Sequence, residues 1–195
     1  MGPELLPMVF TSGWASGINA YAVVLILGLF GRFGGVDSVP AALGRTDVLV
    51  AAAVLFAIEA VADKIPLVDS TWDAVHTFVR PVIGAALGLL LAGDATTLEQ
   101  ALLATTGGVT AFASHAVKAG LRAAVNTSPE PASNFVVSTA EDLTVAGVIS
   151  LGVIQPWIAA ALAGSLLVIG LVFFFLALSR IRRFRERRRA ENFGP

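Results

Sequence analysis

The sequence predicts an all-α integral membrane fold: about six transmembrane helices, with two parallel-repeat helical hairpins among them. Three observations carry this. Of 195 residues, 56% are apolar and only 14% are charged, whereas soluble domains carry about 25% charged residues. Apolar runs approach the ~20 residues that cross a ~30 Å hydrocarbon core. Backbone groups in lipid must also be paired within their own segment, which a helix achieves.

Taken in order, Met8–Phe30 is the first span, apolar apart from a start rich in Ser, Thr, Gly and Asn. Val48–Ala62 is the second and ends in Glu59 and Asp63. Asp73–Gly93 is the third, polar in its first turns. Leu102–Ala124 carries His115, Lys118 and Arg122 towards its end. Asn134–Ile154 carries Glu141 and Asp142 in its first half. Trp157–Ser179 contains the uncharged run VIGLVFFFLAL. The connections hold Gly34-Gly35, Pro40 and Gly44, a polar turn at Gly93–Thr97, the elbow Asn126–Pro131, and the break Gln155-Pro156.

The net charge of −1 conceals two unlike parts. Arg180–Pro195 holds seven Arg against two Glu, a net of +5, and the remaining 179 residues sum to −6. The chain divides accordingly into a transmembrane domain, 1–179, and a basic tail, 180–195. Placing both termini in the cytoplasm puts Lys64, Arg80, Lys118, Arg122 and the tail inside and leaves only Arg32 and Arg45 outside. The expectation is therefore a multi-pass inner (plasma) membrane protein with cytoplasmic N and C termini. Arg180–Arg189 would meet anionic lipid headgroups, which accounts for the tail without nucleic acid. Met1–Pro7 lacks the positive start of a cleavable signal.

With no cysteine, thiolate metal sites, iron–sulfur clusters and Cys nucleophiles are excluded. Two His leave little room for an imidazole-rich metal site. The P-loop, the G-x-S-x-G elbow and H-E-x2-H are missing.

A repeat relates the second and third spans to the fourth and fifth. Val68-Asp69-Ser70-Thr71 aligns with Val125-Asn126-Thr127-Ser128, Asp73 with Glu130, and Phe78-Val79 with Phe135-Val136, at one constant shift. Slipped by one residue, Ala60-Val61 matches Ala116-Val117 and sets Glu59 opposite His115. Two-helix repeats preserve direction, so these would be parallel hairpins with both elbows on the cytoplasmic side.

Charge gathers on single helix faces. Glu59 and Asp63 are four residues apart, and Asp73, His76 or Thr77, Arg80 and Gly84 share one face of the next helix. Lys64 and Asp69 lie near helix ends and read as a solvated cap. Glu59, Asp63 and Arg80 lie nearer the apolar cores and read as an internal polar site, because charge within a membrane turns inward. His115, Lys118 and Arg122 form a basic stripe, faced by a polar-acidic stripe of Asn134, Ser138, Glu141 and Asp142. Ion pairs of Lys118 or Arg122 with Glu141 or Asp142 follow. Gly13-x3-Gly17 and Gly84-x3-Gly88 are small faces suited to close helix packing. Asn19 needs a hydrogen-bond partner.

The runs E-x3-DK-x-P-x2-D at Glu59–Asp69, H-x2-K-x3-R-x3-N-x-S-x-E-P at His115–Pro131 and S-x2-ED at Ser138–Asp142 together resemble a family. It is a bacterial family of small multi-pass membrane proteins classed as a domain of unknown function. The resemblance covers nearly everything before the tail. It implies that these polar positions belong together and brings no activity with it.

The leading functional expectation is a small transporter or channel for an ion or small polar solute. Glu59, Asp63, Glu141 and Asp142 would bind a cation or proton, while Arg80, His115, Lys118 and Arg122 balance charge or hold an anionic group. His115, titrating near neutrality, would add pH dependence. A second reading is a membrane enzyme acting on a lipid or phosphate headgroup, with Glu59, Asp63, Asp69 and Asp73 as candidate Mg²⁺ ligands. A third is a structural or assembly subunit. No cofactor is required by the first or third, and the reading leans away from an enzyme. A homodimer is compatible with the Gly-rich faces.

Overall fold

The structure is a computed structural model describing residues 3–65, 68–125 and 131–193. The side chains of 184–193, which include most tail arginines, lie outside the described set, as do Pro66 and residues 126–130 of the elbows. The part of the expected repeat that rests on Asn126, Thr127, Ser128 and Glu130 falls there too.

Six helices follow one another: α1 (Leu5–Phe33), α2 (Thr46–Ala62), α3 (Val68–Ala92), α4 (Thr97–Val125), α5 (Pro131–Ile154) and α6 (Pro156–Phe193). Four of them, α1, α3, α5 and α6, are long and apolar enough to cross a membrane. The other two are less span-like. α2 has only 17 residues, and α4 carries Glu99, His115, Lys118 and Arg122. α6 continues without a break from its apolar segment into the tail, so the boundary at 179/180 is a change of composition within one helix.

α1 corrects the expectation of a simple span over Met8–Phe30. Asn19, at its midpoint, has extended backbone angles (φ −148°, ψ 95°) and separates two half-helices. The first half runs alongside α4 in the same direction, with Gly13 against Gly107 and Thr110 and Gly17 against Ala111 and Ser114. It starts where Leu6, Pro7 and Phe10 meet Trp157 and Ala160 at the beginning of α6. The second half returns. Gly28 packs on Leu43 and Leu49, and Arg32 donates to Thr46 Oγ1 at 2.7 Å. Leu5 and Met8 line one cavity with Asp37, Ser38, Leu91 and Gly93. Both ends of α1 therefore sit at one end of the bundle, and Asn19 is the tip of a re-entrant helical hairpin reaching ~20 Å inward at 1.5 Å per residue.

The same contacts place the start of the described chain. The start of α1 lies with the α3–α4 and α5–α6 turns, whereas the end of α2, the start of α3 and the end of α4 meet at the opposite end. The described chain thus starts at one end of the bundle and runs in α6 towards the other.

The two expected hairpins are connected as foreseen, but their helices barely touch: α2 meets α3, and α4 meets α5, only slightly. The re-entrant hairpin packs against all five other helices and occupies the space between them. The tightest pairing is α3 with α4. Its cause is Gly84 and Gly107, since a Cβ on either would run into the other's backbone carbonyl. α6 is the most peripheral helix, with 6% of its apolar window buried. The face of α3 predicted from spacing, Asp73, His76, Arg80 and Gly84, is buried, and Asp69, Leu87, Gly88 and Leu91 are buried with it.

Candidate functional site

The tip of α1 ends among charges. A broken helix leaves carbonyls at the C-terminal end of its first half without intrahelical partners, and that end carries partial negative charge. Arg80 Nη1 donates to Gly17 O at 3.1 Å, and Lys118 Nζ donates to Ile18 O at 2.9 Å. Ser114 Oγ donates to Trp14 O at 2.7 Å. The second half is capped by the break residue itself: Ala22 N donates to Asn19 Oδ1 at 2.9 Å. The Asn19 amide donates in turn to Asp142 Oδ1 at 2.9 Å. That is the partner its position demanded.

Three cations and six carboxylates surround this tip. Arg80, fully buried, bonds Glu59 Oε1 at 2.6 Å and lies 3.2 Å from Asp73. Lys118 bonds Asp63 at 2.6 Å and lies 3.8 Å from both Glu59 and Glu141. Arg122 bonds Glu141 at 2.6 Å and the Asp63 carbonyl at 2.6 Å, and lies 3.7 Å from Asp69. Of the four pairings foreseen between the α4 and α5 stripes, Arg122–Glu141 is the close one, and Asp142 turns to Asn19 instead. Asp69 is fully buried beside Arg122 and Asn134. It is therefore not the solvated cap expected of it, because Arg122 of α4 and Asn134 of α5 both reach its carboxylate. Lys64 stays at the margin, bonded to Ala60 O and set over the Phe135 ring.

Hydrogen bonds assign the two histidines. Arg80 can only donate, so His115 Nδ1, 2.7 Å from Arg80 Nη1, accepts. His115 Nε2 then carries the proton and donates to Asp73 O at 3.1 Å. A second proton would have to displace Arg80, so this arrangement holds the ring neutral. His76 Nδ1 donates to Trp72 O at 2.8 Å, which leaves Nε2 to accept from Tyr21 OH at 3.0 Å. Asn134 and Ser138 are fully buried on α5. All thirteen candidate positions thus fall in one continuous region on α2–α5 around the α1 tip.

Glu59, Asp63, Asp69 and Asp73, the candidate Mg²⁺ ligands, are each turned to a guanidinium or ammonium group. Among the described residues, no three His, Asp or Glu side chains group as metal ligands. Several carboxylate oxygens (Glu59 Oε2, Asp63 Oδ1 and Asp73 Oδ2) are buried with no hydrogen-bond donor.

Spacing alone missed Tyr21, Ser114 and the α1 carbonyls. Asn19 was the available signal: an amide flanked by apolar residues, two residues after Gly13-x3-Gly17, where a helix can both approach a neighbour and stop. Asn19→Ala is expected to remove the cap, worth about 1 kcal/mol, and to orphan Asp142 at about 1–3 kcal/mol more. Thermal unfolding of the purified protein checks this, and an unshifted midpoint would contradict the capped break.

A family model described as a domain of unknown function matches residues 6–176. No curated protein and no solved structure matches the chain.

Proposed function

The chain belongs to the DUF4126 family, described as a domain of unknown function, so its activity has to be read from the site, and we propose an integral membrane transporter or channel for a small cation. The carboxylates of the cluster hold the cation or its coupling proton, and Arg80, Lys118 and Arg122 set the charge they work against. The observation that supports this is the imbalance of six carboxylates over three cations, packed around a broken helix. Charges in a membrane interior cost about 2.5–3.5 kcal/mol each on insertion scales. A helix-packing device would balance them, whereas an unbalanced set calls for a cation or protons. Discontinuous helices whose ends meet ions are also the recurring architecture of carrier sites.

In this reading the elbows and the Arg-rich tail face the cytoplasm, following the Lys/Arg distribution. The start of α1 then faces outward. The inner membrane is the expected location, with the tail on anionic headgroups.

The test is the decay of a pH gradient in proteoliposomes on adding Na⁺, K⁺ or an organic ammonium ion. Flux above that of protein-free vesicles is expected, reduced about tenfold or more in Glu59→Gln, as for a lost buried charge contact worth at least ~1.4 kcal/mol. Folded protein giving no flux with any of the three would end the transport reading.

A further inference from the structure

Where α4 and α5 diverge, they leave a cavity of about 410 Å³, closed by the α1 tip and by α6. Trp14, Val117, Val136 and Phe173 give it apolar walls, and Lys118 and Glu141 are its charged residues. These two charges are not equally presented. The Lys118 side chain is 2% exposed and bonded to Asp63 at 2.6 Å. Glu141 is 15% exposed, against 0–4% for the other carboxylates in the cluster's ion pairs. The charge facing the cavity is thus a carboxylate, drawn from a cluster that already has too many. The rim is apolar and exposed, formed by Leu121, Val136, Ile169 and Phe173. It opens on the hydrocarbon-facing side of the bundle.

This combination selects its occupant. A hydrated inorganic ion would have to shed water against apolar walls. An anion would meet Glu141, and a neutral apolar molecule would desolvate Glu141 Oε1, the oxygen that Arg122 does not bond. A cation carried on apolar groups satisfies both surfaces, and the aromatic walls add cation–π attraction.

We propose that the cavity between α4, α5 and α6 binds a monovalent amphiphilic organic cation, reached from the hydrocarbon side and paired with Glu141. This deepens the transport reading by naming a substrate class, and rests on it for everything after binding.

The probe is tetraphenylphosphonium, measured by equilibrium dialysis against the full chain in lipid nanodiscs, with empty nanodiscs subtracted. Tetraphenylborate, nearly identical in shape and opposite in charge, is the control. Saturable phosphonium binding is expected, with the borate about tenfold weaker or more. Glu141→Gln should weaken phosphonium binding by a similar factor. Because that substitution also removes Arg122's partner, Ala140→Phe provides a second variant: Ala140 lines the cavity, and the added ring fills it without changing charge. It should abolish binding while thermal unfolding stays near that of the unaltered protein. Equal binding of the two probes, no saturable phosphonium binding to folded protein, or undiminished binding in folded Ala140→Phe would each overturn the proposal. Cation-driven flux without phosphonium binding would remove this inference alone. Phosphonium binding without any flux would remove transport and leave the binding site.

Discussion

Arg80→Met is expected to be the most damaging single substitution in the protein. Arg80 has no exposed surface and holds four groups at once: Glu59, Asp73, the Gly17 carbonyl and His115 Nδ1. Removing one partner of a buried ion pair costs about 3–5 kcal/mol, because the other charge stays behind desolvated. Here two carboxylates and a helix-end carbonyl are left. Total stabilities are commonly about 5–15 kcal/mol, so most of the folded population should disappear. Arg80→Lys should restore only part of it, since an ammonium on a flexible stem cannot present the planar fork that reaches Glu59 on one side and Gly17 and His115 on the other. The double variant Arg80→Met/Glu59→Gln should be more stable than Arg80→Met, because the stranded charge is gone. Thermal unfolding and elution profile of the purified variants decide this. An Arg80→Met protein that melts with the wild type would mean the cluster is not assembled as described.

Gly17→Val should disturb the same charges without touching any of them. A Cβ at Gly17 would fall on Ser114 Oγ and the Ala111 carbonyl, with His115 N at 2.8 Å. Two of those three are backbone atoms of a packed helix and cannot step aside cheaply. Overpacking of this kind costs about 1–3 kcal/mol, sometimes more. The half-helix must withdraw, taking the Gly17 and Ile18 carbonyls away from Arg80 and Lys118, and hydrogen bonds to charged groups are worth about 1.5–3 kcal/mol each. The expected result is a loss of several kcal/mol, with transport abolished in whatever remains folded. Gly147→Ala is the matched control. Nothing lies within 4 Å of a Cβ there, and replacing a helical Gly by Ala favours the helix by about 0.5–1 kcal/mol. Equal behaviour of the two substitutions would contradict the close approach of α1 to α4.

The helices were legible because membrane helices announce themselves by length and polarity. Their charged faces were legible because i, i+4 spacing is a property of the helix itself. Asp73, His76 and Arg80 on α3, and His115, Lys118 and Arg122 on α4, could be grouped from numbering alone. Asp69 was misjudged as a cap, because its burial depends on α5, which lies some sixty residues further along the chain. The neutral state of His115 was equally out of reach: it depends on which atom of Arg80 faces which ring nitrogen.

Sequence by itself determined that the protein is helical, with helices apolar enough to cross a membrane, and which residues share each polar face. Tertiary structure alone decided that α1 turns back at Asn19 and that its carbonyls complete the charged cluster. The physical reason is that hydropathy measures whether a segment can lie in hydrocarbon, and a re-entrant hairpin does so as well as a crossing helix. Direction is set by contacts. Gly13 and Gly17 press the first half onto α4, and Arg80, Lys118 and the Asn19 cap satisfy the broken ends that make the reversal tolerable in an apolar medium.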